Sequence, residues 1–197
     1  MQSLSNELDF IVQSSKLNAS YALDYIGLLF VIHIVNAALG YRLNFLGIHP
    51  RHLLGLPGII LAPFLHGSWN HLFFNAVPLF IFINMLLTQG PLIFMDTSLC
   101  IILVSGSLIW LIGRPGIHVG ASATIMGYWG YFLASAYTMP GSQSIILGVI
   151  CLYYFSGLIS NLLPSEKGVS WEGHICGCIA GLLTAWLPFE YHLINLF

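Results

Sequence analysis

Apolar segments long enough to cross a bilayer recur along this chain, each closed by a polar turn. A crossing helix needs about 20 mostly apolar residues. Residues 21–40, 70–88, 92–113, 122–137, 143–163 and 173–187 meet or approach that length. The turns between the later segments are Gln89-Gly-Pro91, Arg114-Pro-Gly116, Met139-Pro-Gly-Ser142 and Pro164-Ser-Glu-Lys-Gly168, and Pro188 ends the last segment. Gly and Pro clusters of this kind break helices and reverse the chain. Lipid offers no partner to a free N–H or C=O, so such stretches must be helical. The expected fold class is therefore all-α, a polytopic membrane bundle of six transmembrane helices. Composition agrees, with 57% hydrophobic and 6% charged residues, where soluble chains carry about 25% charged.

Residues 1–20 read as a polar tail or a short surface helix, and 21–197 as one transmembrane domain without internal repeats. The stretch 41–68 is a long connection holding Arg42, Arg51, Pro50, Pro57 and Pro63, expected to lie partly in the membrane interface. His33, in the middle of the first span, reads as a packed, hydrogen-bonded residue. A net charge of −2 excludes nucleic acid as a partner. Cys100, Cys151, Cys176 and Cys178 all fall in apolar segments and read as small buried side chains. No cofactor and no metal site is implied.

Alternation of six spans puts the starts of the second, fourth and sixth at one membrane face. His71 and Asn75 lie in the first turns of the second, Ser122 opens the fourth, and His174 opens the sixth. His71 and Asn75, at i and i+4, share one side of their helix. Uncommitted polar groups inside a bilayer are costly, and several at one depth point to a shared site. Gly120 precedes Ser122 and permits backbone angles that other residues resist. A serine at a helix start has free N–H groups around it, which suit a developing oxyanion. The alternative is that Ser122 merely caps its helix. A serine nucleophile needs a neutral base, and His174 can supply it. Glu172 stands two residues before His174 and points elsewhere on a helix, which favours a dyad over a triad. Gly173, Gly177 and Gly181 recur every four residues, and Gly127 and Gly130 mark the fourth span. Small residues at such spacing let helix backbones approach closely.

Taken together, the sequence resembles the rhomboid intramembrane serine proteases of the compact bacterial six-span type. The matching stretches are Pro63-Phe-Leu-His66-Gly, His71-Leu-Phe-Phe-Asn75, Gly120-Ala-Ser122-Ala123 and Ser170-Trp-Glu-Gly-His174 with Gly177 and Gly181, covering about residues 21–190. The resemblance implies Ser122 as nucleophile, His174 as base, and His71 and Asn75 as lining of the oxyanion site. It implies substrates that are transmembrane segments of other membrane proteins, cut within a multi-pass protein of the bacterial inner membrane. His66 matches a position of structural role. Two residues depart from the family pattern: Ala123 stands where Gly is usual, and Met126 where an aromatic often packs on the catalytic imidazole.

Family habit places the N-terminus in the cytoplasm with the site opening outward. The cation count opposes this, with Lys16 inside against Arg42, Arg51, Arg114 and Lys167 outside. Two other functions compete: an inactive relative that binds transmembrane helices, and a small transporter or channel. The absence of repeated halves weighs against the transporter.

Overall fold

The computed structural model describes residues 2–139, 141–162 and 170–187. Among these, the named elements are all helices: α1 (Gln2–Ala38), α2 (Gly58–Leu61), α3 (Trp69–Leu87), α4 (Pro91–Ile112), α5 (Ser122–Thr138), α6 (Ser142–Tyr154) and α7 (Trp171–Thr184), with short 3-10 turns at Arg42–Leu46, Leu53–Gly55, Ala62–Phe64 and Ser156–Leu162. The all-α expectation is met. The polar loop at 164–168, including Lys167, and Pro188 lie outside the described residues.

Among the described residues, three helices are long and apolar enough to cross a membrane: Leu4–Ala38, Trp69–Leu87 and Pro91–Ile112. Their outward faces are apolar, with Val31, Ile34, Phe73, Val77, Leu99 and Leu111 among the exposed side chains. The buried polar groups, including His33, Asn36, Asn75, Asn84, Ser135 and Thr184, point inward. Such a molecule carries its apolar surface outside, as an integral membrane protein must.

The first twenty residues are not a separate tail. α1 runs unbroken from Gln2 for 37 residues, about 55 Å at 1.5 Å per residue. No Gly or Pro interrupts it before Gly27. Its N-terminal part is docked on the ends of other helices. Asn84 Nδ2 donates to the Ser15 carbonyl at 3.1 Å, and Ser142 Oγ donates to Glu7 Oε1 at 2.7 Å. Ile11 is buried in the main core. The fifth segment also differs from expectation. α6 stops at Tyr154, Phe155 leaves the helical region, and a 3-10 turn follows. Aromatic residues at 153–155 followed by Ser156-Gly157 are weak helix formers.

α5 is the central helix, buried along most of its length. α7 lies directly against it. A side chain at Gly177 would run into the carbonyl of Ala123, and one at Gly181 into the carbonyl of Gly127 and the Tyr131 nitrogen. From the other side, a Cβ on Gly130 would sit 2.6 Å from the Cys178 carbonyl oxygen. These glycines therefore set the distance between the two backbones. Gly173 shares their spacing but not their role: its nearest neighbour is the hydroxyl of Ser170, 3.2 Å from a built Cβ.

Gly181→Ala should therefore push α7 off α5. Overpacking costs about 1–3 kcal/mol, and here backbone blocks relaxation. Thermal unfolding in detergent should show a clear fall in Tm. Gly27→Ala, with nothing within 4 Å of the new methyl, should hold or raise it, since Ala favours helix by about 1 kcal/mol. Equal Tm values for the two variants would contradict the packing account.

Candidate active site

The connection 39–68 folds back onto the turn before α5. Ile48 and His118 exchange two backbone bonds, Ile48 N–H to His118 O at 3.0 Å and His118 N–H to Ile48 O at 2.9 Å. Gly120 N–H donates to the Ala62 carbonyl at 2.9 Å. The Arg51 guanidinium donates to the carbonyls of Leu111 and Gly113, at 3.1 and 2.9 Å, and so satisfies the end of α4. The turn that launches α5 is thus held by backbone on one side and by α4 on the other.

Gly120 has φ of 118°, a left-handed value that L side chains resist. Space excludes a side chain as well: a built Cβ would stand 2.5 Å from His71 Cε1, 2.6 Å from His71 Nε2 and 3.6 Å from Asn75 Nδ2. The His71 ring and the Asn75 amide therefore lie against the turn two residues before Ser122. Ser68 caps α3 by accepting the His71 N–H at 3.2 Å, which fixes that first turn. Ser122 is the first residue of α5, and the N-cap position falls on Ala121. The reading of Ser122 as a cap does not hold.

His174 sits in the first turn of α7 and is buried. One cavity of about 900 Å³ is lined by Ser122, His174, His71 and Asn75 together, with apolar walls that include Phe74, Pro78, Met126 and Leu158. The structure thus brings all four expected residues to one space. Asn75 Nδ2 is buried without a hydrogen-bond partner among the described residues. A buried, unpaired donor in a cavity wall is costly unless something arrives to accept from it. Met126 is buried at this cavity.

His66 is fully buried behind the site, its ring centroid 5.1 Å from that of His71 and edge-on to it. Burial pushes its pKa down to about 3, with His71 and His33 opposing the charge further. His33 packs edge-on against Trp69 at 4.6 Å and faces His66 at 6.4 Å. Its ring nitrogens have no hydrogen-bond partner among the described residues, which show it packed rather than hydrogen-bonded as expected.

Glu172 is not among the residues lining the cavity, though its partner Arg114 is. Its carboxylate pairs with the Arg114 guanidinium, Arg114 Nη2 donating to Oε2 at 3.0 Å. The guanidinium also lies 6.0 Å over the Trp171 ring. Sequence reading missed this pair. The signal was present as opposite charges in two turns assigned to one face. Ala123, where the family pattern has Gly, packs against the small cluster of Ile48, Ala62, Ile109 and Cys176. Ala123→Gly should then cost about 1 kcal/mol through lost contact and helix propensity, which for a chain of this size is about 2–4 °C in Tm. A higher Tm would show that the methyl is crowded rather than packed.

A serine at a helix start, a histidine across a close helix contact and two side-chain donors over the preceding turn can carry out acyl transfer. The sequence matches the family model of the Rhomboid domain over residues 54–191. It is 32% identical over 174 residues to an uncharacterized protein of Mycobacterium tuberculosis, covering 84% of this chain and 72% of the relative. An uncharacterized protein of Mycobacterium leprae is 30% identical over the same length, covering 84% and 69%. The match takes in both helices of the α5–α7 contact and all four expected site residues, and the chain belongs to the rhomboid family.

Proposed function

We propose that the protein is an intramembrane serine endopeptidase that hydrolyses peptide bonds in or near transmembrane segments of other membrane proteins. The observation that carries this reading is the single cavity shared by Ser122, His174, His71 and Asn75, with the Asn75 amide donor buried and unpaired among the described residues. Ser122 Oγ attacks the substrate carbonyl carbon while His174 takes the hydroxyl proton. The negative charge that forms on the carbonyl oxygen meets the Ser122 backbone N–H, Asn75 Nδ2 and the His71 ring. The peptide C–N bond then breaks, and His174 returns its proton to the leaving amine. A water repeats the sequence in reverse and frees Ser122 from the acyl group. Glu172, engaged with Arg114, leaves His174 without a carboxylate from that residue.

We place α1, α3, α4, α5, α6 and α7 across the bilayer. α5 and α7, at 17 and 14 residues, span about 25 and 21 Å, less than the roughly 30 Å hydrocarbon core. Helices that short start below the surface, which sets Ser122 and His174 at depth. Family habit supports a bacterial cell membrane with a cytoplasmic N-terminus and a cavity opening to the opposite face.

Ser122→Ala should abolish cleavage of a model transmembrane substrate and labelling by a fluorophosphonate, with Tm nearly unchanged. Asn75→Ala should slow cleavage by about 10²–10³, the usual effect of removing one oxyanion donor. Wild-type protein that takes no label at Ser122 would instead favour the helix-binding reading. Glu172→Gln should fall far short of the roughly 10⁴-fold loss seen for a triad carboxylate. A loss of that size in a folded variant would overturn the dyad.

A further inference from the structure

His118 and Ser170 line the same cavity but take no part in the acyl transfer above, and the His118 ring bridges the two segments that carry Ser122 and His174. Its Nε2 is 2.9 Å from the Arg114 carbonyl oxygen, and its Nδ1 is 3.0 Å from Ser170 Oγ. A carbonyl only accepts, so Nε2 carries a hydrogen. A ring with one proton then presents Nδ1 as an acceptor. The Ser170 hydroxyl must donate to it. The same oxygen accepts the Gly173 N–H at 3.3 Å, as the N-cap of α7, and the Ser170 carbonyl accepts the His174 N–H at 3.3 Å. The bonds therefore run one way, from Gly173 N–H to Ser170, and from the Ser170 hydroxyl to His118. The other ring nitrogen closes the line on Arg114.

The backbone of His118 is pinned separately by its paired bonds with Ile48, four residues before Ser122. On the α7 side, the glycine contact with α5 begins only at Gly177, since Gly173 faces Ser170 rather than α5. The first turn of α7, which holds His174, thus projects beyond the helix contact that fixes the rest of that helix. Beyond that contact, side chains set its angle: the Arg114–Glu172 pair holds one side of the turn, and the Ser170–His118 bond holds its start.

We propose that His118 is a positioning residue: acting through Ser170, it fixes the first turn of α7 and so aims His174 at Ser122. Its catalytic consequence rests on the protease reading above. The bond geometry does not.

Two substitutions separate the halves of the ring. His118→Asn keeps an acceptor where Nδ1 stands, within reach of Ser170. His118→Gln keeps a donor where Nε2 stands and withdraws from Ser170. The measurements are Tm, the rate of fluorophosphonate labelling at Ser122, kcat and KM for a transmembrane substrate, and the nitrogen chemical shifts of His118 in detergent. His118→Gln should slow labelling and kcat by about tenfold, the worth of one hydrogen bond, at unchanged KM, and Ser170→Ala, which also removes the acceptor of the Gly173 N–H, by at least as much. His118→Asn should stay within about twofold of wild type. The double variant His118→Gln/Ser170→Ala should be no slower than the slower single, because both remove one link. In the wild type, Nδ1 should show the shift of an unprotonated acceptor and Nε2 that of an N–H, and Ser170→Ala should move the Nδ1 signal.

Three results would overturn the inference. They are a proton on Nδ1 rather than Nε2, His118→Asn as slow as His118→Gln, and losses that multiply in the double variant. The nitrogen shifts decide the matter even if a variant fails to fold. Wild-type protein unlabelled at Ser122 would defeat the protease reading alone, and the shifts of wild type and Ser170→Ala would still test the link.

Discussion

The arrangement depends on two places where a side chain is missing. Gly177 and Gly181 let the α7 backbone rest on the carbonyls of Ala123 and Gly127. In lipid there is no hydrophobic drive between helices, because the tails are as apolar as leucine. What remains is contact, and contact falls off within an ångström. Any side chain larger than hydrogen at these positions would run into those carbonyls and push the helices apart. Ser122 stands one residue before the first of these carbonyls, and His174 one turn before the first of these glycines. The helix contact is therefore also the spacer of the candidate site.

The rest of the bundle is arranged around keeping a polar pocket inside an apolar exterior. The turn at 114–120 carries much of this. It receives Ile48 and Ala62 through backbone bonds, meets α3 through His71 and Asn75 against Gly120, and reaches α7 through Arg114 and His118. Arg51 adopts a left-handed backbone, with φ of 63°, to reach the last carbonyls of α4. The strain of that conformation is offset by satisfying two carbonyls that end a helix.

Much of this was legible in the sequence. The helical class followed from apolar segment length, and the convergence of Ser122, His174, His71 and Asn75 followed from alternation of spans and the spacing of motifs. The close contact of α5 and α7 was readable from glycine spacing, although Gly173 obeys the period without joining the contact. Other features were hidden because they arise from tertiary placement. Nothing local says that residues 2–20 continue α1 and dock on Asn84 and Ser142. The break at Phe155 lay in an apolar run that hydropathy alone reads as continuous. The bridge between Ile48 and His118 joins residues seventy positions apart, and no periodicity reports such a pairing.

The apolar faces of α1, α3 and α4 carry one more consequence, for thermodynamics. A soluble domain unfolds with a large gain in heat capacity because apolar surface meets water. Here Val31, Ile34, Phe73, Val77 and Leu111 are already exposed when the chain is folded, and detergent or lipid covers them before and after helices separate. Little apolar surface changes solvent. The heat capacity of separation should be small, and the stability curve correspondingly flat. Cooling, which weakens soluble folds by weakening hydrophobic burial, has little hold on a bundle joined by backbone contacts at glycine.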